Sequence, residues 1–331
     1  MSSKRPIHSL GEGGRVGRPP SCALRGLLVW LGLIGLFAAA LTGCGLGAGA
    51  TPTAIHLTVT EGFGAKPIGG QGQPKVRGQE TILSLLMRNH SVATRFGGGF
   101  VQSIDGHAGT TQGGEPVDWF YYVNGIEAPK GGASTQVHAG DHIWWDLHDW
   151  SQTEDVPAVV GSFPEPFLNG SEGKRLPVRV ECAQVGGQAC GTVVSRLRAE
   201  GVPAAIAGIG PGDEPETLRV LVGPWPAVRG TPASEAIERG PQASGVYARF
   251  AGDGRSLGLL DASGRTTKTL TSGAGLVAAT RYAQEEPLWV ITGTDASGVQ
   301  RAAGAFSEAA LHDHFALALE ANGAARPLPT P

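Results

Sequence analysis

A chain of 331 residues, 41% hydrophobic and 17% charged, is long enough for two or three domains and too apolar for a disordered polymer. Its net charge of −3 divides unevenly, with +4 on residues 1–43 and −7 on the remainder. A mildly acidic body without basic runs excludes a binder that neutralises phosphates, so no nucleic-acid partner is expected.

Residues 26–41 form an uncharged apolar run behind Arg25 and a basic leader. The run falls short of the ~20 residues of a comfortable membrane span, and the pattern predicts a signal peptide. The alternative is an uncleaved anchor, and both place the body outside the cytoplasm. The run ends in Leu41-Thr42-Gly43-Cys44, which resembles the bacterial lipoprotein lipobox. That resemblance implies cleavage before Cys44, lipidation of its thiol, and a protein held on the extracytoplasmic side of the cell membrane. Residues 1–43 are thus read as signal peptide and 44–53 as a small-residue tether.

From residue 54 onward the patterns are those of a folded domain. Ile55, Leu57 and Val59 alternate with polar residues, the period of a half-buried strand. Thr81 is placed to cap a short helix with Ile82, Leu85 and Leu86 on one face. Strands are expected at 100–104, 118–123 and 142–147, and Asn124-Gly125 is a strong hairpin signal. In the last strand Ile143, Trp145 and Leu147 share a candidate core face. His142, Trp144, Asp146 and His148 share the other, read as a polar solvated face carrying one exposed tryptophan. One helix among several strands predicts a small β-rich, β-grasp-like module over residues 54–168. Residues 151–173, rich in Pro, Gly and Ser, form a strap closing it.

The helix with Thr81-Ile82-Leu83-Ser84-Leu85-Leu86, then 99–106, then Trp119-Phe120-Tyr121-Tyr122-Val123-Asn124-Gly125, then Gly140-Asp141-His142-Ile143-Trp144-Trp145, resembles the transcobalamin-like C-terminal domain family. The resemblance spans about residues 54–150 and implies a compact β-rich domain. In the animal vitamin carriers that domain closes one side of a corrinoid site, and a helical barrel supplies the other. No barrel of six helical hairpins is found in this sequence, so half of that site is missing and no cofactor is assigned. In bacterial surface proteins such domains imply extracellular binding without naming a ligand. The candidate ligand-binding residues are Trp119, Tyr121, Tyr122, Asn124 and Trp144, because exposed aromatics suit flat ligands, sugars or protein hot spots. The opposing reading is that these rings fill a small core.

Residues 175–325 alternate strands and helices and predict a C-terminal α/β domain, giving α+β for the whole chain. Strands are expected at 177–182, 218–222 and 288–292, with a hairpin around Asp253-Gly254. Helices are expected at 190–200, 233–239, 276–282 and 308–321, the last capped by Ser307. Cys182 and Cys190 predict a local disulfide in an oxidising compartment, with two free thiols as the alternative. No Gly-x-Ser-x-Gly elbow, His-Glu-x-x-His helix or P-loop is present, and no enzymatic activity or metal is assigned. Asp295, after a strand, is read as a turn residue. The expected function is a non-catalytic, lipid-anchored binding protein. Its expected partner is a small molecule or an envelope component, with a membrane transporter as the expected associate. The alternative is a structural or protein-interaction envelope lipoprotein.

Overall fold

The computed structural model describes residues 54–69, 72–112, 115–210, 215–283 and 285–331. The leader, Cys44 and the tether lie outside them. No helix among the described residues is long and apolar enough to cross a membrane.

The first half comprises β1 (His56–Glu61), β2 (Lys66–Pro67), α1 (Ile82–Asn89), β3 (Val92–Arg95), β4 (Phe100–Ile104), β5 (His107–Ala108), β6 (Thr110–Gln112), β7 (Glu115–Val123), β8 (Ile126–Glu127) and β9 (His142–Asp149). Its main sheet runs β2-β1-β9-β7-β6, with β8 paired to β7. β1 is parallel to β9, and β7 is antiparallel to it. The Thr81 hydroxyl caps α1 by accepting the Ser84 N–H. Asn124 and Gly125 both take positive φ, 55° and 75°, as a two-residue hairpin turn with the twist of its strands requires.

The second half comprises β10 (Val178–Cys182), α2 (Gln188–Ala199), β11 (Ala204–Gly208), β12 (Leu218–Pro224), α3 (Trp225–Val228), α4 (Pro232–Arg239), α5 (Pro241–Ser244), β13 (Ala248–Phe250), β14 (Leu257–Leu260), β15 (Thr266–Leu270), β16 (Gly275–Thr280), β17 (Leu288–Gly293), α6 (Ala296–Gly304), α7 (Glu308–Leu311), β18 (Ala316–Leu319) and β19 (Ala325–Leu328). A seven-stranded sheet runs β11-β10-β12-β17-β16-β18-β19. Its first four strands are parallel, and its last three are antiparallel. The chain is therefore a mixed α and β protein. A disulfide joins Cys182 to Cys190 with Cα atoms 5.9 Å apart, stapling the end of β10 to the first turn of α2.

One expected helix is a strand and another is cut short. Residues 276–282 fall largely in β16, whose six residues are all buried between β17 and β18. A strand apolar on both faces has no alternation to reveal it. The expected helix 308–321 stops after one turn, because Asp313 takes a left-handed φ of 57° and the next residues extend into β18.

Three hydrophobic cores stack through residues 54–331. One lies beneath α1 and gathers Ile82, Leu85, Leu86, Trp119, Tyr121 and Trp145. The second joins the halves, bringing Phe63, Tyr122, Trp144 and Val159 against Trp225, Tyr247 and Phe315. The third packs α2 and α6 on the seven-stranded sheet, with Trp289 and Phe306 meeting Phe163 and Phe167 of the strap. The strap thus contributes to two cores at once. Its Gly161 lies so close to the 314 backbone that a Cβ there would stand 2.6 Å from His314 N and 2.7 Å from the Trp144 ring. Next to it the Val160 N–H donates to the Phe315 carbonyl at 3.2 Å.

Phe315 sits at the centre of the joint. Its ring meets Phe63 and Trp144 at 5.2 Å, His148 at 5.3 Å and Tyr122 at 5.5 Å between centroids, all near edge-on. Edge-to-face packing at these spacings is the favoured aromatic geometry. Truncating Phe315 to Ala should cost about 3–5 kcal/mol through lost burial and a retained cavity. Urea unfolding followed by tryptophan fluorescence measures it, and a loss below about 1 kcal/mol would show that the joint does not depend on this ring.

Candidate functional site

The stretch from residue 118 to 150 supplies β7 and β9, paired so that Trp119 faces Leu147, Tyr121 faces Trp145 and Tyr122 faces Trp144. Strand alternation sends Trp119, Tyr121 and Trp145 toward α1, and Phe120, Tyr122, Trp144, Asp146 and His148 the opposite way. The division matches the sequence parity. The solvent does not: Trp144, expected on an exposed face, is 0% exposed. The second half covers that face, so Trp144, Asp146 and His148, expected to be solvated, are interior, while His142 at the start of the strand is half-buried.

A polar face can be buried only if its groups are satisfied. The Trp144 indole N–H donates to Thr60 Oγ1 at 2.7 Å. The Thr60 hydroxyl in turn donates to Asp146 Oδ2 at 2.5 Å. Asp146 also accepts the backbone N–H groups of Phe63 and Gly64 at 2.9 Å each, and His148 Nδ1 lies 2.8 Å from Oδ1. The His148 ring is stacked between Phe63 and Phe120, each centroid 4.5 Å away. Among the described residues no group of three His, Cys, Asp or Glu is placed to hold a metal ion.

The other candidates separate by position. Asn124 is fully buried and its amide is committed. Nδ2 donates to Asp141 Oδ1 and to the Gly170 carbonyl at 2.9 Å each, and Oδ1 accepts the His142 N–H at 2.8 Å. It ties the hairpin to β9 and to the strap. Tyr122 is fully buried beside Trp144. Trp119 and Tyr121 are nearly buried but form part of the wall of a small groove of about 200 Å³, with Phe100, Trp145 and residues 127–132. Trp119 Nε1 donates to the His107 carbonyl at 3.1 Å, and the Tyr121 hydroxyl bonds Lys130 O and Thr135 Oγ1. Tyr121 stacks on Trp145 at 4.6 Å.

Residues 127–130 also form one edge of a larger cleft of about 490 Å³, which opens beside the hairpin. Its polar lining includes Glu127, Lys130, His138, Arg281 and Glu286. Burial pushes the Glu127 carboxyl up to about 8, with the Asp155 charge adding to the rise. Burial likewise raises Glu286, partly offset by Arg281. Half-buried carboxyls of raised pKa beside cations are what a cleft for a small polar ligand presents. Glu127 carries no sequence signal beyond following Asn124-Gly125, since its environment comes from residues near 155 and 281.

A sequence family described as a domain of unknown function (DUF4430) matches residues 79–149, which runs from α1 to the end of β9. DUF4430 is associated with transcobalamin-like domains. Nothing among curated proteins or solved structures matches the chain. The second half is a sheet with short helices and supplies no helical barrel among the described residues.

The titration of Glu127 carries a sign. Its pKa rises from 4.5 to about 8 on folding, so between these values the unfolded chain releases a proton that the folded chain keeps. The stability contributed is complete below pH ~4.5 and is lost as pH rises through ~8. Glu127→Gln should therefore flatten the decline of Tm between those limits, read by calorimetry at matched ionic strength. Parallel Tm profiles for the two proteins would rule out a raised Glu127.

Proposed function

We propose that this chain is a non-catalytic binding protein, anchored through lipidated Cys44 on the extracytoplasmic side of the membrane. In this reading residues 54–168 form a transcobalamin-like, β-grasp-like module followed by an α/β domain. The ligand is a small polar molecule or an envelope component, held in the 490 Å³ cleft beside the hairpin. The observation that carries the proposal is the placement of this cleft on the DUF4430-matched segment, with Glu127, Lys130 and Arg281 converging in it. Trp119, Tyr121 and Asn124 then act as the scaffold that sets residues 127–130. The small groove of Trp119 and Tyr121 on the far side of those residues gives the site a fluorescent reporter.

Titrating the full chain with corrinoids and with envelope glycans, read by tryptophan emission, tests the binding site. The expected result is a saturable change with one class, weakened at least tenfold by Lys130→Ala and leaving the fold intact by circular dichroism. No change with either class sinks the small-ligand reading.

A second reading, a structural or protein-interaction lipoprotein, is favoured by the complete burial of Tyr122 and Trp144. It predicts a protein partner that co-purifies from native membranes while no small ligand perturbs fluorescence.

Anchoring is tested separately. Cys44→Ala should move the protein from the membrane fraction to the soluble extracytoplasmic fraction, and unchanged membrane retention would refute lipidation at this thiol.

A further inference from the structure

The seven-stranded sheet contains a point where its connections diverge. From β10 the chain passes through α2 to β11 on one side, while from β12 it proceeds to β17 on the other. β10 and β12 are parallel neighbours, so their carboxyl ends lie side by side where these connections diverge. Open α/β sheets bind ligands at such switch points because loops and helix starts diverge there. In this chain the crevice is a cleft of about 550 Å³, floored by Val222 and Gly223 at the end of β12.

The lining defines a chemistry. Gln184, Gln188, Gln300, Ser297 and Arg301 bring amide, hydroxyl and guanidinium groups to the cleft, and none of the described residues lining it carries a carboxylate. The nearby Asp295 is turned to the start of its own helix and to the turn before β16: it accepts the Gly298 and Gly273 N–H groups and the Ser272 and Ser297 hydroxyls. Arg301 Nη1 donates to the Gly273 carbonyl and to Ser297 Oγ at 3.0 Å each, which fixes the guanidinium at the rim. The Cys182–Cys190 disulfide fixes the opposite wall, since Cys190 both lines the cleft and is tied to the end of β10. Gly223 has no room for a side chain, because a Cβ would stand 2.6 Å from the Ala183 Cβ. The floor is therefore closely packed and the walls are held covalently and by hydrogen bonds.

We propose that this switch-point cleft is a second binding site, taking a small molecule that bears an oxyanion, a carboxylate or a phosphate, on Arg301 and the surrounding amides. The site is independent of the cleft at residues 127–130 and lies in the half of the chain that no family match covers.

Isothermal titration calorimetry of the full chain with inorganic phosphate, with succinate and with glycerol as an uncharged control tests it. Saturable heat is expected with phosphate or succinate and none with glycerol, and the responding anion identifies the group recognised. Gln188→Trp, from an exposed position on α2, and Gln300→Glu, which adds a repelling charge, should each weaken binding at least tenfold. Lys130→Ala, in the other cleft, should leave it unchanged. Absence of saturable heat with both anions overturns the proposal. So does unaltered affinity in the two cleft variants, or a loss confined to Lys130→Ala. The two substitutions lie on different helices, α2 and α6, which keeps one variant available if the other fails to fold.

Discussion

The fold depends on how one carboxylate is neutralised. Asp146 lies in the middle of β9 on the face that meets the second half, with no exposure to water. An unpaired carboxylate there would be prohibitive, and its partners come from β1, from the turn after it and from β9 itself. Two of those partners are backbone N–H groups at Phe63 and Gly64. The same turn that neutralises Asp146 therefore delivers Phe63 to the aromatic cluster and brings Gly64 against the 313 backbone, where no side chain would fit. Once these groups are satisfied, the polar face of the first sheet becomes a surface that aromatic side chains can cover.

Period-two alternation in β9 was readable from the sequence because parity is a local property of a strand. What lies beyond each face is not local. Trp144 was sorted to the correct side of the sheet, yet the side taken for solvent is filled by Phe315 and Tyr247, more than a hundred residues away in the chain. The hairpin at Asn124-Gly125 was legible because its backbone requirement narrows the residue choice. The strands β16 and β18 were not, since uniform burial removes the pattern that separates strand from helix. The polar break at residues 312–314 before an apolar run is the one local hint that the last helix ends early. Glu127 was invisible for another reason: a carboxyl after a turn is ordinary, and only burial with Asp155 nearby makes it unusual.

The rings that dominate the sequence are, in the structure, mostly framework. Trp119, Tyr121 and Trp145 bond the first sheet to its helix and hold residues 127–130, while Tyr122 and Trp144 bond it to the second half. Aromatic density in this chain reports how two sheets are fastened together more than where a ligand rests. The polar clefts lie at the borders of that framework, where well-packed cores give their walls rigidity without occupying them.

The position of β1 has a mechanical meaning. It is the first strand among the described residues and sits inside the sheet, hydrogen-bonded to β2 on one side and to β9 on the other. β1 and β9 are parallel, and β9 leads directly into the strap and the second half. A pull on the amino-terminal end of β1 is resisted through the carboxyl-terminal end of β9, so their shared hydrogen bonds are loaded together in shear. In the opposite arrangement, antiparallel and unzipping, the bonds would break one at a time. Anchoring at the amino end, as proposed, would place tension on the strand pair best able to hold it.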